Sequence, residues 1–290
     1  MAERSDVTGR LLWFLALVAL TGNPLSATAR TLPDRIVMMW QVTGPSYAAD
    51  FRTLATLGIN TVQSFPLARQ DSAYMSGYLE AADKAGLGVI PFLGRDGEGE
   101  ACRLSSAGEG FVRRYASHRA IVAWHSIDEP AGHDISKACQ RKVYLQVKAL
   151  DASRPVMVSI NFTRQQDYDR YFAEDAFDVL ELHRYVNPDV SAAQRTLLER
   201  FRQNRGGKNY PTIVTLRAFN APHKSSRRDM RAGGLQQQFA FFFETEYKVD
   251  DHVGFYGWRL APNEGISQID WLHKEFAVLA RQKFTTKRRR

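Results

Sequence analysis

Cysteine is nearly absent from this chain: there are two, Cys102 and Cys139, in 290 residues. That excludes a small disulfide-knit scaffold and a four-cysteine metal centre. Long hydrophobic runs are absent as well. The run Leu11 to Leu20 (LLWFLALVAL) has 10 residues, about half of what a helix needs to span a bilayer, so no integral membrane contact is expected. There is no H-E-x-x-H and no H-x-H at the first strand, which removes the common zinc-hydrolase signatures. No glycine-rich phosphate loop follows a strand, so neither a nucleotide cofactor nor any other cofactor is expected. No nucleic-acid-binding motif is present, and nucleic acid is not an expected partner.

The short apolar run has a meaning of its own. Arg4 and Arg10 precede it, and Ala27-Thr28-Ala29 follows as a small-x-small site. This pattern reads as a secretory signal peptide, residues 1–29, cut after Ala29. Export to the periplasm or medium permits a disulfide. Sequence does not give the distance between Cys102 and Cys139, so a bond and two free thiols both remain open. Net charge is +8, with a basic end, Lys287-Arg288-Arg289-Arg290. Such a tail either floats in solvent or adheres weakly to anionic surfaces.

Residues 30–290 alternate short Val/Ile-rich runs with longer helical patterns. Strands are expected at 35–40, 59–65, 87–93, 121–127, 155–160, 177–183, 211–216 and 253–258. Helices are expected at 49–57, 74–85, 111–117, 136–150, 191–204, 235–248 and 268–281. Eight buried-type strands with helices between most of them predict a single (β/α)8 TIM barrel of class α/β, with no internal repeat or linker.

In such a barrel, reactive side chains sit where strands end. The fourth strand, in HRAIVAWHSIDEP (118–130), ends in Asp128, Glu129 and Pro130. A carboxyl group fixed at a strand end is what a general acid for glycosidic cleavage needs. In an extended strand Asp128 and Glu129 point to opposite faces. A structural alternative is that the D-E-P triplet caps the helix starting near Ser136.

The chain resembles the bacterial barrel glycoside hydrolases whose fourth strand ends in D-E-P. The matching pieces are GINTVQSF (58–65), KAGLGVIPFL (84–93), HRAIVAWHSIDEP (118–130), KALDASRPV (148–156), DVLELHRY (178–185), YPTIVTLRAF (210–219) and VGFYGWRL (253–260). The resemblance implies that Glu129 is the acid/base residue and Asp128 its neighbour. It also implies a nucleophilic glutamate at the end of strand seven, and there this chain departs. That strand reads TIVTLRAF (212–219), with Arg217 near the place of the acid. On strand six the family pattern D-x-x-G-x-D-x-Y is met at Asp178 and Tyr185, with Glu181 replacing the glycine and His183 the second aspartate.

Alternation on strand six puts Glu181 and His183 inward and Leu180 and Leu182 outward. Glu181 is therefore a second candidate carboxylate, or else a buried acid paired with a base such as Arg217. Trp40 and Trp258 end adjacent strands of a closed barrel and are expected to form a stacking platform for a sugar. Gln63, Asn161, His183, Tyr185 and Arg217 lie near strand ends and are candidate sugar-hydroxyl partners. The sequence therefore predicts an exported glycoside hydrolase acting on a poly- or oligosaccharide, by inversion if the strand-seven acid is truly missing. The alternative is a glycan-binding barrel that has lost hydrolysis. Mature protein recovered from the exporting cell should begin at or near Arg30 by N-terminal sequencing; intact Met1 in a membrane fraction would reverse the signal-peptide reading.

Overall fold

Val, Ile and Leu crowd the short runs because both faces of each strand are buried, one by barrel side chains and one by helices. The computed structural model describes residues 30–183, 192–205, 210–220, 230–244, 252–259 and 263–284. Residues 1–29, expected to be a signal peptide, and the basic end Lys287–Arg290 lie outside these residues. Eight strands alternate with eight helices: β1 (Val37–Trp40), α1 (Tyr47–Thr56), β2 (Thr61–Ser64), α2 (Ser72–Lys84), β3 (Gly88–Pro91), α3 (Ser106–Tyr115), β4 (Trp124–Asp128), α4 (Lys137–Leu150), β5 (Val156–Ile160), α5 (Gln165–Tyr171), β6 (Val179–His183), α6 (Ala192–Asn204), β7 (Thr212–Arg217), α7 (Gly234–Phe239), β8 (Val253–Tyr256) and α8 (Asp270–Lys283). The expected (β/α)8 barrel is the observed fold.

The strands run parallel in the order β3-β2-β1-β8-β7-β6-β5-β4. The circle between β3 and β4 is closed by two isolated bridges, Val89 to Ile121 and Phe92 to His125. Alternation then divides the core in two. Val62, Val89, Val158, Leu180, Leu182, Val214 and Phe255 face the helices. Met38, Trp40, Ile90, Met157, Val179 and Ile213 fill the barrel. Gly254 is required here by close approach: a Cβ on it would lie 2.4 Å from Thr215 Oγ1 and 3.3 Å from the Trp40 indole nitrogen.

Helix starts follow the chemistry of their caps. Asp71, Ser105 and Ser136 accept backbone bonds from Tyr74, Gly108 and Cys139 at the heads of α2, α3 and α4, satisfying amides that have no intrahelical partner. Ser136 caps α4, so the D-E-P triplet does not. The seven-residue α5 was not expected, because its sequence QQDYDRY is mostly polar; it is held by buried Asp167, Tyr168 and Tyr171. The helix expected over 235–248 is α-helical only to Phe239 and continues as a π-turn over Ala240–Glu244.

At the opposite end from the strand C-termini, Asp151 accepts from the Trp124 indole at 3.0 Å and from Arg154 at 2.9 Å. Burial pushes the Asp151 carboxyl up, but bonds from Ser153, Arg154 and Trp124 outweigh it and leave it below its ordinary value. The cysteine question is resolved: Cys102 and Cys139 are bonded, with Cα atoms 5.6 Å apart. The bond ties the loop after β3 to α4. Closing a loop of sequence separation 37 stabilises by about 3–4 kcal/mol on chain-entropy grounds. A Cys102→Ser, Cys139→Ser double variant should lose about that much in denaturant unfolding; an unchanged midpoint would mean the bond is absent in solution.

Candidate active site

Glu129 continues the β4 ladder by one bond, its amide donating to Ser159 O at 3.0 Å. Its φ is then +43°, a left-handed value that is uncommon for a side chain of this size and concentrates at functional sites. Gly132 and His133 donate back to the Glu129 carbonyl at 2.9 and 3.2 Å. This tight turn lies at the C-terminal end of the strand, on the face where barrel chemistry occurs. Three residues before Glu129, the β4–β5 register slips between His125 and Ile127, a bulge at Ser126.

Bulge and turn together correct an expectation. Asp128 and Glu129 do not diverge to opposite faces; both reach the barrel mouth. Glu129 Oε1 is 2.5 Å from His183 Nε2, and Glu181 Oε2 is 2.8 Å from His183 Nδ1. His183 and Glu181 are buried, whereas Glu129 keeps 31% of its side chain exposed. Burial alone would push the His183 imidazolium down. The charge of Glu181 and the bonds to both glutamates overcome that, and its pKa stands well above 6.5. Both ring nitrogens therefore meet carboxyl oxygens, which favour the protonated imidazole between Glu129 and Glu181. Glu181 pairs with His183 rather than Arg217. Its second oxygen, Oε1, is buried with no hydrogen-bond partner among the described residues.

Asp128 sits beside this chain. Burial, with the neighbouring charges of Glu129 and Glu181, outweighs the pull of His183 and raises its carboxyl to about 7. Ser159 hydrogen-bonds it and also lies 3.0 Å from His125 Nε2. His125 Nε2 is 3.1 Å from Ile127 O. A carbonyl only accepts, so Nε2 carries the proton and Nδ1 accepts from the Gln63 amide at 3.1 Å. Burial pushes His125 down to about 3, so it stays neutral. Tyr256, at the end of β8, completes the rim. It is bonded to Gln41, and burial with the charge of the three carboxyls raises its hydroxyl to about 12.

Other expected site residues fall elsewhere. Gln63 is fully buried and holds His125, so it does not face a ligand. Trp40 and Trp258 are 1% and 2% exposed and belong to different cores. Trp40 lies inside the barrel against Phe65, His125 and Tyr256. Trp258 lies outside it against His273 and Phe276 of α8. They form no platform, because β8 ends at Tyr256 and the chain turns before Trp258. Arg217 is 1% exposed; its Nε donates to Phe219 O at 3.1 Å and its guanidinium lies over the Phe219 ring. It fills the end of β7 as part of the core. Asn161 is half-buried after β5, and Tyr185 lies outside the described residues.

Ser159 and Tyr256 were missed by the sequence reading. Strand alternation was the available signal: Met157 and Ser159 on β5, and Gly254 and Tyr256 on β8, face inward. A pocket of about 400 Å³ opens beside Asp128, between the loops after β2, β3 and β4.

Trp258→Ala should cost about 3–5 kcal/mol of stability, the usual loss for a core tryptophan. Denaturant melts measure it; a loss below about 1 kcal/mol would return Trp258 to the surface.

No protein-family model and no curated protein sequence matches the chain. Its fold is similar to bacterial glycoside hydrolases of known structure. One is an endo-alpha-mannosidase from Bacteroides thetaiotaomicron, at 10% identity and TM-score 0.59, covering 89% of this chain and 100% of that one. Another is a xylanase from Cellvibrio japonicus, at 9% and 0.52, covering 86% and 97%. A third is a beta-glucuronidase from Bacteroides uniformis, at 14% and 0.52, covering 77% of this chain and 30% of that one. Among the described residues, no helix is long and apolar enough to cross a membrane. At these identities the likeness establishes the fold alone, a (β/α)8 barrel.

Proposed function

We propose that the protein hydrolyses glycosidic bonds of a poly- or oligosaccharide at the mouth of its barrel, with Glu129 as proton donor. The observation that carries this reading is the Glu129–His183–Glu181 chain, a partly exposed carboxyl drawing on a buried shared proton. Neighbours of the same fold cleave glycosides, which supports the reaction class.

Glu129 would give the glycosidic oxygen the proton it shares with His183. The imidazole then stays neutral, its Nδ1–H on Glu181. A water bonds the anomeric carbon as the bond to the protonated oxygen breaks, and it gives up its own proton. That proton passes from the base to solvent, from which the Glu129–His183 pair is reloaded. Asp128 is the candidate base for that water. It must be ionised to act, and its carboxyl titrates at about 7. No residue of β7 carries a carboxyl, which favours single displacement with inversion over a covalent intermediate.

A second reading has one observation behind it. Arg217 is packed where a strand-seven nucleophile belongs, as in a glycan-binding barrel without turnover.

Glu129→Gln should lower kcat by at least about 10²-fold while KM changes little, since shape is kept and the proton is lost. New reducing ends measure it, on a panel of polysaccharides. Wild-type protein that binds a glycan but releases no reducing ends would favour the binding reading.

The pH profile separates the carboxyls. As base, Asp128 makes kcat/KM rise as pH climbs through about 7, because the ionised form is the active one. Asp128→Asn should remove that limb and most of the rate. Retention of the limb in the variant would exclude Asp128 as its source.

A further inference from the structure

The pocket beside Asp128 has an aromatic wall and a basic rim. Phe65, after β2, and Phe92, after β3, meet edge to face with centroids 4.9 Å apart. Both rings are half-buried, and both line the pocket, as do Arg69, Arg95 and His133. Arg69 reaches the same wall: a Cβ on Gly94 would sit 3.5 Å from Arg69 Nη2 and 3.4 Å from the Phe92 ring. The guanidinium therefore lies over the loop beside the aromatic wall.

Arg95 donates to the carbonyls of Gly97 and His133. Among the described residues Arg69 and Arg95 form no ion pair, while Arg113, Arg141, Arg154, Arg164, Arg170 and Arg259 each hold a carboxylate. Nearby acids are engaged elsewhere: Asp134 with Arg170, and Asp96 with the Ser106 amide. Among the described residues Asp128 is the one carboxyl lining the pocket. Glu129 beside it is held by His183, and Glu98 shares the adjoining groove with Arg95. The two arginines are thus the cationic groups of the pocket wall. Guanidinium forks match carboxylate and sulfate geometry, and aromatic faces take the apolar side of a sugar ring.

We propose that this pocket is the subsite for an anionic sugar unit, whose carboxylate or sulfate is held by Arg69 and Arg95 and whose ring lies against Phe65 and Phe92. The inference rests on the hydrolase reading only for its nearness to reacting groups; binding alone tests it.

The experiment is calorimetric titration of the wild-type protein with trigalacturonate, a sulfated disaccharide and neutral cellotriose. At least one anionic ligand should bind tenfold or more tighter than cellotriose, and which of the two does so identifies the anion. Arg69→Gln and Arg95→Gln should each weaken that ligand about tenfold, the effect of one charge-assisted hydrogen bond, with thermal melts unchanged because both side chains reach solvent. Arg69→Lys should recover part of the affinity, since it keeps charge without the fork. Equal affinity for the neutral ligand overturns the proposal. So does anionic binding that survives both arginine variants, which marks adsorption to the basic surface, and so does binding of no saccharide at all. Arginine-dependent binding without any bond cleavage upholds the subsite and sinks the hydrolase reading. Cleavage of neutral glycans with no anion preference does the reverse.

Discussion

Two carboxylates meet one imidazole at the end of β6, and the barrel mouth is arranged around that contact. Glu181 is fully buried, and an ion in a low-dielectric interior costs several kcal/mol unless it is paired. His183 supplies the pair, but a buried imidazolium then needs a second acceptor. Glu129 is that acceptor, and it reaches His183 only by leaving the extended conformation for φ +43°. The left-handed turn at Glu129 and the bulge at Ser126 bring Asp128 to the same mouth as this pair. A structure that satisfies one buried acid thereby exposes another to solvent with a proton beside it.

The neutral half of the mouth is built on a different rule. His125, Gln63 and Ser159 form a hydrogen-bonded line with no net charge across the barrel. Burial keeps His125 unprotonated, so this line fixes geometry without adding to the charge near Asp128. Two histidines inside one barrel thus have opposite characters. Position relative to Glu181 decides which is which: His183 lies two residues along the same strand face, while His125 is hydrogen-bonded to neutral groups and has the positive His183 near it.

Much of this was legible in the sequence. Period-two alternation placed Glu181 and His183 inward and Leu180 and Leu182 outward. Eight Val/Ile-rich runs gave the barrel, with bounds within a few residues. What could not be read was where alternation stops. The bulge at Ser126 and the left-handed Glu129 are single-residue departures with no compositional mark, since neither position is a glycine. Trp40 and Trp258 were placed as a pair by counting along β1 and β8, but Trp258 lies past the strand end, where the count no longer holds. The π-turn after Phe239 and the polar α5 escaped for a related reason: both are set by tertiary contacts rather than by local propensity.

The barrel is not equally closed all the way round. Seven of its junctions are hydrogen-bonded ladders; between β3 and β4 there are two isolated bridges. Cys102 precedes that junction's second strand and Cys139 follows it, so the covalent bond crosses the weakest seam from outside. The loop it anchors also carries Arg95. The disulfide therefore serves as a clasp: it spans the side where the ring of hydrogen bonds is incomplete and the pocket opens, and cutting it would loosen the ring from that side.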